Sequence, residues 1–204
     1  MIVGDDRALV RAVGLLYRER GLGDGAVSLI PVGQVGSLGL ARSLGVPLSA
    51  VAAARSVLDG AVVTRDLLVD DSDGVVLGDL RIPPVRAAAR PSGPSVWSAY
   101  RSLVRTLVPP GVRVGHRLRV EADGQLLVDV DRAVEDLRVV PASSGGVAEV
   151  TVRLVGGPSL RVKAASVTVS GPDFRYRADA LVAGPVRRRT WTLRPGAWSL
   201  TLPR

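Results

Sequence analysis

The stretch IPVGQVGSLGLARSLGVP, residues 30–47, decides the fold of this chain. It begins at the end of a short apolar run, residues 26–31, which predicts a β-strand. A glycine-rich turn at residues 33–37 follows, and the apolar residues after it predict a short helix that ends near Leu44. A strand that passes through a glycine turn into a helix is typical of an α/β layer.

The residues on either side of this stretch extend the same pattern. Apolar residues recur at helical spacing over residues 6–21, which predicts a helix before the strand. A second helix is predicted from Ser49, a suitable N-cap, to Gly60, a suitable stop. Residues 62–69 and 74–82 predict strands. The first part of the chain is therefore expected to alternate strands and helices in a partial nucleotide-binding-type α/β layer.

Further along the chain the pattern changes. Residues 83–94 are rich in Pro and Gly and predict a linker, and a helix is predicted to begin at Ser95. Apolar and polar residues then alternate in short runs up to residue 202, with an Asp-Gly hairpin turn at residues 123–124. We expect three segments: an α/β domain at 1–82, the linker, and a helix plus an antiparallel β-sandwich-like domain at 95–204.

Composition narrows the classes of function. The 204 residues include no Cys, which excludes disulfides and thiolate metal sites, and no signal peptide precedes the first helix, so a cytoplasmic protein is expected. Net charge is +8 and Lys163 is the only lysine. The arginine excess indicates either a GC-rich genome or attraction to an anionic surface. Aromatic residues are 3% of the chain, so no nucleic-acid partner is expected.

The quoted stretch resembles a family motif. Residues 30–33 and 41–47 are similar to "I-P-L-G-T-x-N-D-x-A-R-x-L-G-I-P" of the diacylglycerol kinase and sphingoid lipid kinase family. Residues 3–7, VGDDR, stand where that family has its "G-G-D-G-T" turn. Near the other end, residues 167–202 resemble the family's last strands, which follow a "D-G-E" turn and include a "V-x-P-G-A-L" strand.

The resemblance implies an ATP-dependent lipid kinase that uses Mg²⁺ and transfers a phosphoryl group to the hydroxyl of a diacylglycerol or related lipid. Its lipid partner implies a cytoplasmic protein with peripheral contact to the inner membrane face. The residues implied to contact the phosphates of ATP lie in the two glycine turns: Gly4, Asp5, Gly33, Gly36 and Ser37. The resemblance identifies no metal ligands.

Several family positions have changed. Asp179 matches the first residue of "D-G-E" and is the candidate catalytic residue, but Leu181 replaces the glutamate that would accept the proton of the acceptor hydroxyl. Asp6 replaces a glycine in the first turn, where a carboxylate would repel phosphates and Arg7 would partly offset it. The alternative hypothesis is therefore an inactive family member that binds a lipid or a protein.

Other candidate sites are weaker. His116 has no partner nearby in sequence and is expected at a strand edge, and residues 70–74, DDSDG, predict a β-turn rather than a Ca²⁺ loop. Asp129 and Asp131 are expected on a solvated sheet face. Met1 stands directly before the first glycine turn, so the family's preceding strand, helix and strand have no counterpart. Either the gene starts upstream, or a homodimer completes the sheet.

Overall fold

The structure, a computed structural model, describes residues 1–84, 115–142 and 145–204. Among these residues the α-helices are α1 (Asp6–Arg18), α2 (Gly39–Ser43) and α3 (Ala50–Asp59). The strands are β1 (Ile2–Gly4), β2 (Leu29–Pro31), β3 (Ala61–Asp70), β4 (Val75–Val76), β5 (Leu80–Ile82), β6 (His116–Arg117), β7 (Arg119–Ala122), β8 (Gln125–Val128), β9 (Ala133–Pro141), β10 (Ala148–Leu154), β11 (Ser159–Ala164), β12 (Ser166–Ala178) and β13 (Leu181–Leu202).

The strands form two sheets of very different size. β1 and β2 pair in parallel, while the other strands described form one antiparallel sheet with the main order β11-β10-β9-β5-β12-β13-β3-β4. β6 pairs with β9, β7 with β12, and β8 with β7. The first half of β12 pairs with β7 and its last two residues pair with β5. Because bulges bend this long strand between the two pairings, the sheet folds over a core of its own.

The core of the large sheet comes from alternating strand residues. In β10 every second residue is buried, as a strand with one face on a core requires. Tyr176 and Trp191 meet edge to face with ring centroids 5.1 Å apart. Burial of each large side chain of this kind contributes about 1.5–3 kcal/mol to folding. The C-terminal part therefore holds a complete sandwich-like core.

A second core joins the helices to the sheet. Leu9 and Val13 of α1 are fully buried in the same cluster as Trp198 and Leu200 of β13. The backbone N–H of Val27 donates to the carbonyl oxygen of Ser199 at 2.8 Å, and that of Thr201 donates to Val27 at 2.9 Å. The α/β part is thereby packed against the last strand of the sheet.

The structure confirms the fold class: a small α/β part followed by a large antiparallel β region. It differs from the sequence pattern in one respect, because β3, β4 and β5 join the antiparallel sheet rather than the α/β layer. β3 finds its hydrogen-bonding partner in β13, whose long run of residues pairs with β3 from Ala61 to Asp70. The linker from residue 85 onward and the helix predicted from Ser95 lie outside the described residues.

Smaller sequence features are confirmed. Asp123 and Gly124 have φ values of 49° and 78° and connect β7 to β8 as a two-residue hairpin turn. Residues 70–74 form the turn between β3 and β4, and His116 lies in the short strand β6. Among the described residues, no helix combines the length and apolar character needed to cross a bilayer.

Candidate functional site

A cleft of about 1260 Å³ lies between the α/β part and the large sheet. One wall, the N-terminal wall, is formed by the starts of α1 and α2 and the turn before α2. The other, the sheet wall, is formed by the middle of β3, the residues on either side of β5, the ends of β9 and β12 and the start of β13. The two parts of the chain that carry the family resemblance thus meet across this cleft.

The two glycine turns lie side by side in the N-terminal wall. β1 and β2 pair with Gly4 opposite Pro31, and the backbone N–H of Val32 donates to the carbonyl oxygen of Gly4 at 2.9 Å. Asp5, Gly36 and Ser37 line the cleft, whereas Gly4 and Gly33 lie outside its lining.

Gly4 and Gly33 have packing roles in this wall. A Cβ atom at Gly4 would lie 2.8 Å from the Cβ of Ala8, and one at Gly33 would lie 2.7 Å from the Oγ of Ser37. Both distances are too short for real atoms, so these two glycines allow the turns to close against α1 and against each other. Gly36, by contrast, has no atom within 4 Å of its Cβ position.

The two aspartates of the N-terminal wall bind backbone N–H groups. Asp5 is the N-cap of α1 and accepts from the backbone N–H of Ala8 at 3.1 Å. Asp6, only 5% exposed, accepts from the N–H of Leu40 at 2.8 Å and from that of Ala41 at 2.9 Å. Asp6 therefore holds the start of α2 in place, a role that its position in the first turn did not reveal.

In the sheet wall, Asp179 also binds backbone N–H groups. It occupies the turn between β12 and β13 with φ of 51°, and its carboxylate accepts the backbone N–H groups of Leu77, Gly78 and Asp79 at 2.7, 2.7 and 2.9 Å. Burial raises the pKa of Asp179 to about 6, and the three backbone hydrogen bonds oppose this shift. The candidate catalytic residue thus lines the cleft and also fixes the segment before β5.

Leu181, which stands in place of the family's glutamate, is not part of the cleft lining. It packs against the core of the α/β part and borders a second cavity of about 400 Å³ between α1 and the β12–β13 hairpin. The cleft is lined instead by its neighbours Ala180 and Val182. No proton acceptor therefore faces the cleft from this position.

Three arginines lie side by side in the sheet, and two of them, Arg177 and Arg138, line the cleft. Arg177 of β12 pairs in register with Arg81 of β5, which pairs in register with Arg138 of β9. All three contact the carboxylate of Asp79, at 3.1 Å from Arg177 Nη2, 2.9 Å from Arg81 Nε and 3.3 Å from Arg138 Nε. We call Arg177, Arg81 and Arg138 the arginine ladder. Sequence reasoning missed it, because strand register is not visible in a single sequence.

The remaining charged residues of the cleft fall into two groups. Asp66 accepts from the backbone N–H of Gly196 at 2.9 Å and from that of Gly146 at 3.1 Å. Arg7 and Arg175 line the cleft and make no ion pair with another described residue. Each aspartate of the lining is therefore engaged by the protein's own donors, while part of the arginine charge is not.

The described aspartates of the cleft leave few carboxylate oxygens for a magnesium ion, because most of these oxygens accept the protein's own donors. Mg²⁺ in proteins is usually held by one or two carboxylates together with waters and the phosphates of the substrate. In residues 1–84, 115–142 and 145–204 no group of three acidic or histidine side chains is placed to hold a metal ion. The cleft aspartates face N–H groups or guanidinium groups instead.

Comparison with known proteins identifies solved structures with the same fold. No protein-family model matches the chain, and no curated protein matches it. Solved structures do. Two are described as a "putative diacylglycerol kinase from Bacillus anthracis str. Sterne": one is 17% identical, with a TM-score of 0.68 over 98% of this chain and 75% of its own. The other is 16% identical, with a TM-score of 0.69 over 98% of this chain and 76% of its own.

A third structure, described as one of the diacylglycerol kinases from Bacillus anthracis str. Sterne, is 14% identical with a TM-score of 0.68 over 98% of this chain and 76% of its own. At such low identity the likeness establishes the fold and leaves the chemistry to be argued from the residues. The chain therefore has the two-part fold of these structures, with a cleft between its parts.

Proposed function

We propose that this chain is a diacylglycerol kinase-like protein that binds a phosphorylated ligand in its cleft without transferring the phosphoryl group. One observation carries the proposal: the cleft aspartates are all engaged by internal donors, whereas Arg7 and Arg175 are left facing the cleft. The fold shared with the Bacillus anthracis structures supports the diacylglycerol kinase-like part of this proposal.

Catalysis of phosphoryl transfer needs groups that the described residues of the cleft offer only in part. The reaction requires a cation that bridges phosphate oxygens and a base that receives the acceptor proton. Most oxygens of the described cleft carboxylates accept N–H or guanidinium groups, and Leu181 cannot accept a proton. Binding of the ligand, which needs only donors and positive charge, survives these changes.

The ligand we propose is an anionic phosphate compound, either a nucleotide or a lipid that carries a phosphate group. Arginine forms paired hydrogen bonds with phosphate oxygens and stays charged at any physiological pH. A net charge of +8 would attract the protein to the anionic inner face of a membrane, where such a lipid is found.

Binding and turnover can be measured separately on the full chain. We expect ATP, ADP or phosphatidate vesicles to raise the melting temperature, while diacylglycerol and labelled ATP with Mg²⁺ give no labelled phosphatidate. A labelled lipid product above the background of an Asp179→Ala control would overturn the non-catalytic proposal. The absence of any shift with every phosphate compound would overturn the binding proposal itself.

A second candidate function is ATP-dependent phosphoryl transfer to the hydroxyl of a diacylglycerol, and one observation favours it. Asp179 lines the cleft and its pKa is raised to about 6, close to the range in which a carboxylate serves as a general base. If Asp179 has this role, Asp179→Asn should abolish lipid phosphorylation and retain nucleotide binding. Equal lipid phosphorylation by the parent chain and by Asp179→Asn would exclude Asp179 as the general base.

A further inference from the structure

The arginine ladder breaks a rule of sheet construction. Side chains that are directly opposite on antiparallel strands lie about 5 Å apart, and like charges at such positions destabilise the pair. Here two consecutive cross-strand pairs, Arg177 with Arg81 and Arg81 with Arg138, place three positive charges in one row. Local conflicts of this kind are expected where a site has a function that outweighs its cost to folding.

The carboxylate of Asp79 neutralises only part of this charge. Three guanidinium groups against the carboxylates of Asp79 and the neighbouring Asp179 leave a local charge of +1 (three positive minus two negative), and Arg175 in the same cleft brings it to +2. The side chain of Asp79 is 19% exposed, that of Arg177 is 28% exposed and that of Arg138 is 46% exposed, and these three residues line the cleft. A phosphate monoester carries about −1.5 to −2 charge at pH 7, which matches the excess.

The ladder also retains unused donors. Each guanidinium has five N–H donors in a planar fork. Arg138 contacts Asp79 through Nε and Arg177 does so through Nη2, so their other terminal N–H donors make no hydrogen bond with another described residue. Arg175, two residues before Arg177 on the same strand, also lines the cleft.

We infer that the arginine ladder is a binding site for the dianionic phosphate of a monoester, in preference to the monoanionic phosphate of a diester. Arg177 and Arg138 donate to the phosphate oxygens, and Asp79 offsets part of their charge before the ligand arrives. This inference rests on the proposed function and names the ligand's chemical group. The same group occurs in soluble monoesters and at the head of phosphatidate.

Titration calorimetry of the full chain with methyl phosphate and dimethyl phosphate tests the charge preference. We expect methyl phosphate to bind at least several-fold more tightly, and Arg138→Gln to weaken that binding about tenfold, the typical loss for a charge-assisted hydrogen bond. The matched control is Arg161→Gln, which removes one positive charge from an exposed residue of β11 outside the cleft and should change affinity by less than about twofold.

Two outcomes separate this inference from the proposed function. If methyl phosphate binds but Arg138→Gln behaves like Arg161→Gln, the ladder is not the site, while the cleft remains a phosphate site. If neither ester nor any nucleotide binds, both ideas are wrong. Equal affinity for the two esters also overturns the inference.

Asp79→Asn and vesicles complete the experiment. Removal of the carboxylate raises the local positive charge by one, so we expect several-fold tighter binding of methyl phosphate. Unchanged or weaker binding would mean that the ladder is a structural ion cluster only.

Vesicles with phosphatidate, compared with vesicles of phosphatidylglycerol, then identify the source of the phosphate group. A loss of phosphatidate binding in Arg138→Gln indicates the lipid headgroup. Binding of methyl phosphate alone indicates a soluble monoester.

Discussion

The two walls of the cleft use aspartate in opposite ways. In the N-terminal wall the Asp6 carboxylate accepts two backbone N–H groups, and these hydrogen bonds hold the start of α2. In the sheet wall Asp79 is surrounded by guanidinium groups that outnumber it, so positive charge is left over. Asp179 lies in the sheet wall but resembles Asp6, because its carboxylate accepts backbone N–H groups. The net charge around a cleft carboxylate therefore depends on whether its donors are neutral backbone N–H groups or charged guanidinium groups.

The strongest test of this difference is Asp179→Ala. The change removes the acceptor for one buried and two partly buried N–H groups and places alanine at a φ of 51°, so we expect a loss of about 3–5 kcal/mol in the free energy of unfolding. Urea denaturation measures it. The matched control is Asp123→Ala, because Asp123 has a similar φ of 49° and accepts N–H groups from Ala165 and Ser166 in an exposed hairpin turn. Equal losses in the two variants would show that burial of Asp179 is unimportant.

The raised pKa of Asp179 gives a second test. Since its value of about 6 in the folded protein lies above the ordinary 3.8, the folded state holds the proton more tightly than the unfolded state between these limits. The free energy of unfolding should therefore fall as pH rises from about 4 to about 6, by at most about 3 kcal/mol from this group. Urea denaturation at four pH values should show a shallower fall in Asp179→Asn than in the parent chain. Identical slopes would contradict the assignment.

Asp6→Asn should have a smaller effect in the N-terminal wall. Asparagine keeps one acceptor oxygen and turns an amide NH₂ toward the second backbone N–H of α2, which costs about 2 kcal/mol at a buried position. The neighbouring Asp5→Asn is the control, because asparagine caps a helix about as well as aspartate. If both variants unfold at the same urea concentration, Asp6 does not hold α2.

The smallest expected change in the free energy of unfolding is that of Gly36→Ala, which is compared with Gly4→Ala in the other glycine turn. Gly36→Ala meets open space and should change the free energy of unfolding by less than about 0.5 kcal/mol, whereas Gly4→Ala meets the Cβ of Ala8 at 2.8 Å and should cost about 1–3 kcal/mol. Affinity for ATP, measured on the folded Gly36→Ala protein, then shows whether this turn contacts the ligand. A loss of stability in Gly36→Ala would contradict the geometry of the turn.

The sequence predicted the elements of this fold better than their partners. Helical spacing located α1, the cap at Ser49 and the stop at Gly60 located α3, and the Asp-Gly pair located the hairpin at residues 123–124, because these signals are local. The pairing of β3 with β13 was not visible, since it joins residues far apart in the chain. Ser49 is the N-cap of α3, as predicted, although its side chain makes no cap hydrogen bond.

The candidate site was predictable only in part. The glycine turns and Asp179 were found from the family resemblance, and Asp5, Gly36, Ser37 and Asp179 do line the cleft. Whether they bind ATP stays a prediction, as does the homodimer. The arginine ladder could not be found from sequence, because it depends on the register of three strands that are not consecutive in the chain.

The hydrogen bonds of Asp179 also set an order of events during synthesis on the ribosome. Leu77 leaves the peptidyl-transferase centre about 100 residues before its acceptor does, since the two lie 102 positions apart. At about 5–20 residues per second this interval is of the order of 5–20 s. Trp198 and Leu200, which complete the core around α1, emerge later still. The nascent chain therefore carries its helices without a finished core until β13 has been translated.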